Sequence, residues 1–170
     1  MRKATITLLI LCCLSLMVSC GGTSKKNEPE EIVDGYLTYI LREDGTYAVK
    51  ATDVTQLPES VTIPSTFNGI PVTALTTYAF ANSNCLKKIT IPDSITTLPM
   101  GALYQCTVLT EVNLPSTLTG IGKGAVGLCW EHVTIYYDGT QSQWRRKLSK
   151  ASNWAVETDH TIICTDGIVS

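Results

Sequence analysis

The sequence predicts a solenoid of mixed but mostly β character (α+β), in which short parallel strands are stacked by coils of about 23 residues, with an N-terminal β-hairpin cap and a C-terminal helix-strand cap. Three observations predict it. Side chains of like kind recur at that period: Val72, Ile95 and Leu118; Leu75, Leu98 and Ile121; Ala79, Ala102 and Ala125; Ile89, Val112 and Ile135. One stretch, "ALYQCTVLTEVNLP" from Ala102 to Pro115, carries two periodicities, with Ala102, Cys106 and Leu109 at spacings of four and three before Val112 and Leu114 alternate and a proline stops them. That is a corner followed by a strand, and neither could bury its apolar face without a coil above and below. Finally, 44% apolar and 16% charged residues over 170 positions supply a core for one domain and exclude a disordered chain.

The elements follow in order. Arg2 and Lys3 precede an apolar run from Ala4 to Val18, shorter than the roughly 20 residues a membrane-spanning helix needs, so residues 1–20 read as an export signal. The run ends in Met17-Val18-Ser19-Cys20-Gly21-Gly22, which resembles the lipobox of bacterial lipoproteins, with Met17 where leucine is usual. The resemblance implies that Cys20 is acylated and becomes the new N-terminus. Each buried CH₂ of an acyl chain contributes about 0.8 kcal/mol, and two or more chains anchor stably. Gly21 stands where aspartate would imply inner-membrane retention, so the pattern implies an outer-membrane or cell-surface address. Residues 21–34, rich in Gly, Lys, Glu and Ser, read as a flexible tether.

Residues 35–52 read as the hairpin cap, turning at Asp44-Gly45 and lying against the first coil. The repeats occupy 53–139, and Val61-Thr62-Ile63-Pro64 answers Ile89-Thr90-Ile91-Pro92 with an insertion near Asn68-Gly69-Ile70-Pro71. The prolines after the first three strands, Pro64, Pro92 and Pro115, cannot donate to a ladder and end the pairing. Residues 140–170 form the second cap: Thr140-Gln141-Ser142-Gln143 is a capping box opening a helix whose Trp144, Leu148 and Ala151 make one apolar stripe. Arg145, Arg146, Lys147 and Lys150 suit the helix C-terminal end, either as a solvated face or as a contact for anionic groups. Thr161 to Cys164 then returns as a strand, with a turn at Asp166-Gly167.

Charge and cysteines narrow the function. Setting Arg2 and Lys3 aside takes the formal charge from −2 to about −4, which gives no global attraction to nucleic acid. Beyond the signal and Cys20, four cysteines remain, at 85, 106, 129 and 164. A chain of this length buries enough surface without staples, so they read as packed thiols and not as a disulfide scaffold. Cys106 and Cys129 share one repeat position, where a bridge is geometrically open but free buried thiols are favoured.

No nucleophile elbow, phosphate loop or dinucleotide fingerprint is present, so no catalytic residue, cofactor or metal ligand is assigned and an enzyme is not expected. Cys129-x-x-His132 and His160-x-x-x-Cys164 have zinc-like spacings, kept as a remote alternative; in the repeat register His132 takes the place of the core residue Leu109, which points it inward. The candidate binding site is the outward rung of the sheet. Thr62, Thr90, Asn113 and Tyr136 alternate with inward residues and form a column. Four rungs at about 4.8 Å by strands of about 10 Å give on the order of 200 Å², against about 800 Å² per side in a standard protein interface. A glycan or a peptide edge fits that strip, and a protein partner needs the loops as well.

The fragment Leu109-x-x-Val112-x-Leu114 matches the core of the leucine-rich repeat signature, with Thr66, Ser94 and Thr117 where Asn or Cys is usual and where a hydroxyl can bond the coil backbone. Together with "YAFANSNCLKKITIPDSITTL", "GALYQCTVLTEVNLPSTLTGIG" and the tail "IYYDGTQSQWRRKLSKASNW…HTIICTDG", the chain resembles the BspA-like leucine-rich repeat family of bacterial surface proteins over about Thr52 to Gly167. The resemblance implies a lipid-anchored or secreted protein that recognises or adheres to a host protein or glycan, and a monomer is expected. A structural or assembly component that binds a neighbouring envelope protein or glycan is the alternative.

Overall fold

The computed structural model describes residues 30–148, 151 and 153–169, so the signal, Cys20, the greater part of the tether and Lys150 lie outside the described residues. No helix among the described residues is long and apolar enough to cross a membrane.

The described residues open with three antiparallel strands, β1 (Glu31–Asp34), β2 (Leu37–Leu41) and β3 (Tyr47–Ala51). β1 departs from the sequence reading, which assigns 31–34 to the tether. Gly35, at φ +60, allows a tight turn that lays Glu31–Asp34 along β2. Ile32 alone of the four packs on the core, which left too little alternation to recognise. β4 (Ser60–Thr62) follows, and the insertion then forms a hairpin of β5 (Thr66–Phe67) and β6 (Ile70–Leu75) about Asn68 and Gly69, both at positive φ. Its tip brings Phe67 flat onto Tyr39 of the hairpin at 3.8 Å. β6 pairs in parallel with β3, so the N-terminal hairpin extends the β6 side of the coils and leaves β4 with a single strand partner among the described residues, β7 (Lys88–Thr90).

The remaining elements are β8 (Thr97–Leu98), β9 (Glu111–Leu114), β10 (Gly120–Ile121), β11 (Val133–Tyr137), α1 (Gln141–Lys147), β12 (His160–Cys164) and β13 (Gly167–Ile168). β4, β7, β9, β11 and β12 form one parallel sheet with β13 antiparallel at its far edge, while β8 and β10 make a short ladder on the other side of the coil. The register is that of the repeat: Val61, Ile89, Val112, Ile135 and Ile162 lie side by side, all buried. β12 therefore continues the stack past residue 139, where the sequence reading begins a cap.

Each corner is built on two left-handed residues four apart. Tyr78, Gly101 and Gly124 stand at φ 56, 65 and 61, and Asn82, Gln105 and Leu128 at φ 63, 55 and 52. Between them Ala79, Ala102 and Ala125 are buried, and backbone amides join one corner to the next: Phe80 donates to the Ala102 carbonyl at 2.9 Å, Leu103 to Ala125 at 2.8 Å, Val126 to Trp154 at 2.9 Å. Asn153 and Glu157 repeat the left-handed pair after α1, which stands where earlier coils carry β8 and β10. The capping box is formed, with the Gln143 amide donating to Thr140 Oγ1 and the Thr140 amide to Gln143 Oε1. The helix stops at its C-cap, Leu148, short of Ala151; Trp144 and Leu148 are buried, and Trp144 meets Tyr137 and Trp154 edge-on.

The four cysteines are unbridged. Cys106 Sγ donates to the Phe80 carbonyl at 3.2 Å and Cys129 Sγ to the equivalent Leu103 carbonyl at 3.6 Å. The same repeat position holds Ser83 and Thr158, both buried and hydrogen-bonded, so it calls for a small polar side chain. Of the three hydroxyls expected to bond coil backbone, Thr117 does so, to the Asp93 carbonyl at 2.8 Å. Ser94 Oγ is buried without a partner among the described residues, and Thr66 is exposed on β5. Burial, reinforced by the Cys129 thiol, pushes Cys106 up to about 12, and burial raises Cys129, Tyr39 and Tyr137 as well.

Cys106→Ser keeps a donor at this position and is expected to cost about 1 kcal/mol in urea unfolding, whereas Cys106→Leu overpacks the corner and costs about 1–3 kcal/mol. The folded thiol sits above its ordinary value of 9.0, so the stability due to keeping it protonated is whole below about pH 9 and is lost as pH rises toward 12. Cys106→Ser should therefore flatten the alkaline limb of the stability profile. A leucine variant as stable as the parent would refute the donor role.

Candidate functional site

Side chains alternate along each strand, so the buried residues of the parallel sheet fix which neighbours face solvent. Thr62 pairs with Thr90, Thr90 with Asn113, and Asn113 with Tyr136, which places the four candidate residues in one file on the outward face. The file runs on through Ile163 to Ile168, two residues the sequence reading passed over. α1 displaces the last strand from the 23-residue register, but Ile163 was recoverable from alternation, since its neighbours Ile162 and Cys164 are the inward pair. The file thus changes character along its length. Thr62, Thr90 and Asn113 are polar, while Tyr136 is 41% exposed and Ile168 60%.

A second outward file, Ser60, Lys88, Glu111, Thr134 and Thr161, lies beside the first. Its charges are already matched. Lys88 pairs with Glu111, and hydrogen bonds from Lys88 and then Asn113 hold that carboxyl below its ordinary value. Asn113 Nδ2 reaches Glu111 Oε1 at 3.1 Å and Thr90 Oγ1 at 3.4 Å, which fixes the amide's orientation.

An open groove of about 790 Å³ runs along the carboxyl ends of these strands. Thr90, Asn113, Tyr136 and Ile163 form its floor, Pro92 and Pro115 follow the strands, and Asp93 and Asp138 contribute its charged groups; Thr62 does not line it. A second groove of about 600 Å³ adjoins β6 and β8, where Arg42 Nη1 is held by Asp44 at 2.7 Å and by the Thr46 and Thr73 hydroxyls at 3.1 Å each. That cation is already engaged.

The Cys/His spacings do not converge on one point. Cys129 is buried in the corner, but His132 faces outward, against the expectation that it replaces Leu109 in the core: Val133 is the buried residue there, and the imidazole bonds Asp159 through Nδ1 at 2.8 Å and Thr161 through Nε2 at 3.0 Å. His160 packs edge-on against Trp154 and bonds the Thr158 carbonyl. Among the described residues, no three His, Cys, Asp or Glu side chains come together as a metal site. The Asp159, His132 and Thr161 sequence has the order of a nucleophile relay, and His132 holds Asp159 below its ordinary value. A relay also needs a substrate cleft and oxyanion donors. None of the three residues lines either groove, and their hydrogen bonds join the start of β11 to β12. On α1, Lys147 Nζ donates to the Ser116 carbonyl at 2.8 Å, while Arg145 and Arg146 are exposed.

Comparison with known proteins bears on the fold and its setting. The family model of the BspA type leucine rich repeat region matches residues 53–150 in six copies. No curated protein matches the chain. Among solved structures, the chain is similar to a leucine rich cell surface protein from Faecalibacterium prausnitzii A2-165, with a TM-score of 0.51 and 26% identity, covering 68% of this chain and 34% of that one. The chain therefore spans well under two thirds of that neighbour's length. A matching family model over more than half the chain and five rungs in one register leave one conclusion: the chain belongs to the BspA-type leucine-rich repeat family.

Proposed function

We propose that the chain is a cell-surface binding module, anchored through lipid on Cys20, that recognises a protein or glycan ligand with the outward strand file and the groove beside it, and that it carries out no catalysis. The observation that carries the reading is the file from Thr62 to Ile168, held at fixed spacing by paired strands. Rigid rungs hold contact groups in place without the ordering cost a loop would incur. The family, and the cell-surface description of the solved relative, support the same class of role. Adhesion to host material is the leading form of it; binding to a neighbouring envelope component is the other.

The full chain in detergent, screened against host matrix proteins, glycans and envelope extract, should retain a ligand that the double variant Asn113→Arg, Tyr136→Arg loses by about tenfold or more with an unchanged circular dichroism spectrum. Retention of the ligand by that variant would remove the outward file from the account. Capture from envelope extract alone would select the assembly role over adhesion. Replacing Cys20 by serine should shift the protein from the membrane to the soluble fraction of the expressing cell; continued membrane association would rule out the lipid anchor.

A further inference from the structure

We infer that the groove's partner is an extended peptide segment carrying aliphatic side chains and a positive charge, its aliphatic groups on Tyr136, Ile163 and Ile168 and its cation against Asp93 or Asp138; this rests on the outward face being the binding face. Tyr136, half-buried Ile163 and exposed Ile168 are consecutive in register on one face of the sheet, so they make one apolar strip, of which Tyr136 and Ile163 line the groove and Ile168 lies one rung beyond its lining. Contiguous exposed apolar surface of this kind marks a contact site, whereas isolated exposed apolar residues do not. Asn113 borders the strip on the next rung; with its Nδ2 donating to Glu111 and Thr90, its Oδ1 faces a backbone laid across it as an acceptor.

Charge selects the partner. Asp93 and Asp138 are exposed, and they are the charged side chains among the described residues that line the groove. Neither takes part in an ion pair among the described residues. Lys147, whose ammonium reaches the adjoining Ser116, is engaged on that carbonyl. A ligand that fills the groove draws the carboxylate it lies against out of water, which is costly unless it brings an opposite charge. An acidic peptide or anionic glycan is repelled outright. A neutral glycan would leave both carboxylates unmatched and would find no polar partner on Ile163 or Ile168. Size excludes a folded partner resting on the outward file alone: its six rungs at about 4.8 Å make a track on the order of 25 Å long and one strand face wide, far below the area of a standard protein interface. An open track of that length suits an extended chain.

The test uses the full chain in detergent and fluorescent short peptides of alternating lysine and leucine, of glutamate and leucine, and of lysine and serine, with a neutral oligosaccharide alongside. The lysine-leucine peptide should bind, more weakly as salt rises, and should lose about tenfold in affinity with Asp93→Asn, Asp138→Asn and again with Ile168→Ser, all at surface positions where melting should not change. Equal binding of the glutamate-leucine or lysine-serine peptide, or undiminished binding to the asparagine variant, would overturn the inference. Binding of the oligosaccharide in place of the peptide, abolished by Tyr136→Arg, would also overturn it while leaving the outward binding face intact.

Discussion

The fold depends on the contact between successive corners. At each one the chain must reverse within a few residues and return directly over its previous turn, and it does so with two left-handed residues that recur at the repeat period. For a non-glycine residue that conformation costs roughly 1 kcal/mol or more, yet Tyr78, Asn82, Gln105 and Leu128 all adopt it. The hydrogen bonds donated by the Phe80, Leu103 and Val126 amides to the next coil, and the buried alanines beside them, offset the cost. A corner has no equivalent support in isolation, so neighbouring coils make each other's turns affordable. The buried Ser83, Cys106, Cys129 and Thr158 side chains serve the same junction by bonding backbone that the turn would otherwise leave open.

That constraint positions the outward face. With the corner fixed, strand register has no freedom to slip, because a slip of one residue would turn Ile89, Val112 and Ile135 into solvent. Residues on the opposite side of those strands therefore form straight files whatever their identity. Function can then be written on the files at little cost to stability, which is how a polar run, Thr62 to Asn113, meets an apolar one, Tyr136 to Ile168, on the same surface.

Much of this was legible in the sequence because it rests on spacing. The 23-residue recurrence contained the five-rung sheet as far as Tyr137, the insertion at Asn68-Gly69 and the file of four outward residues. Thr140 and Gln143 announced the helix start by chemistry alone. What escaped detection depended on geometry that spacing does not encode. β1 has one half-buried residue among four and leaves almost no alternation. The left-handed pair falls on Tyr, Asn, Gln, Leu and Gly alike, so composition gives no warning of it. His132 occupies a core position by count, yet Val133 fills the space and the imidazole finds Asp159 and Thr161 outside. The fifth rung was taken for a cap because α1 replaces a short strand and shifts the count, although the corner at Asn153 and Glu157 resumes the pattern.

Native-state hydrogen exchange tests the central claim most directly, because it reads the corner ladder one amide at a time. If stacked corners hold the molecule together, the amides of Phe80, Leu103 and Val126 should exchange as slowly as those of the parallel sheet and through the same cooperative opening. Fast exchange at those three positions, with the strands still protected, would mean that the sheet alone carries the fold and that the corners merely connect it.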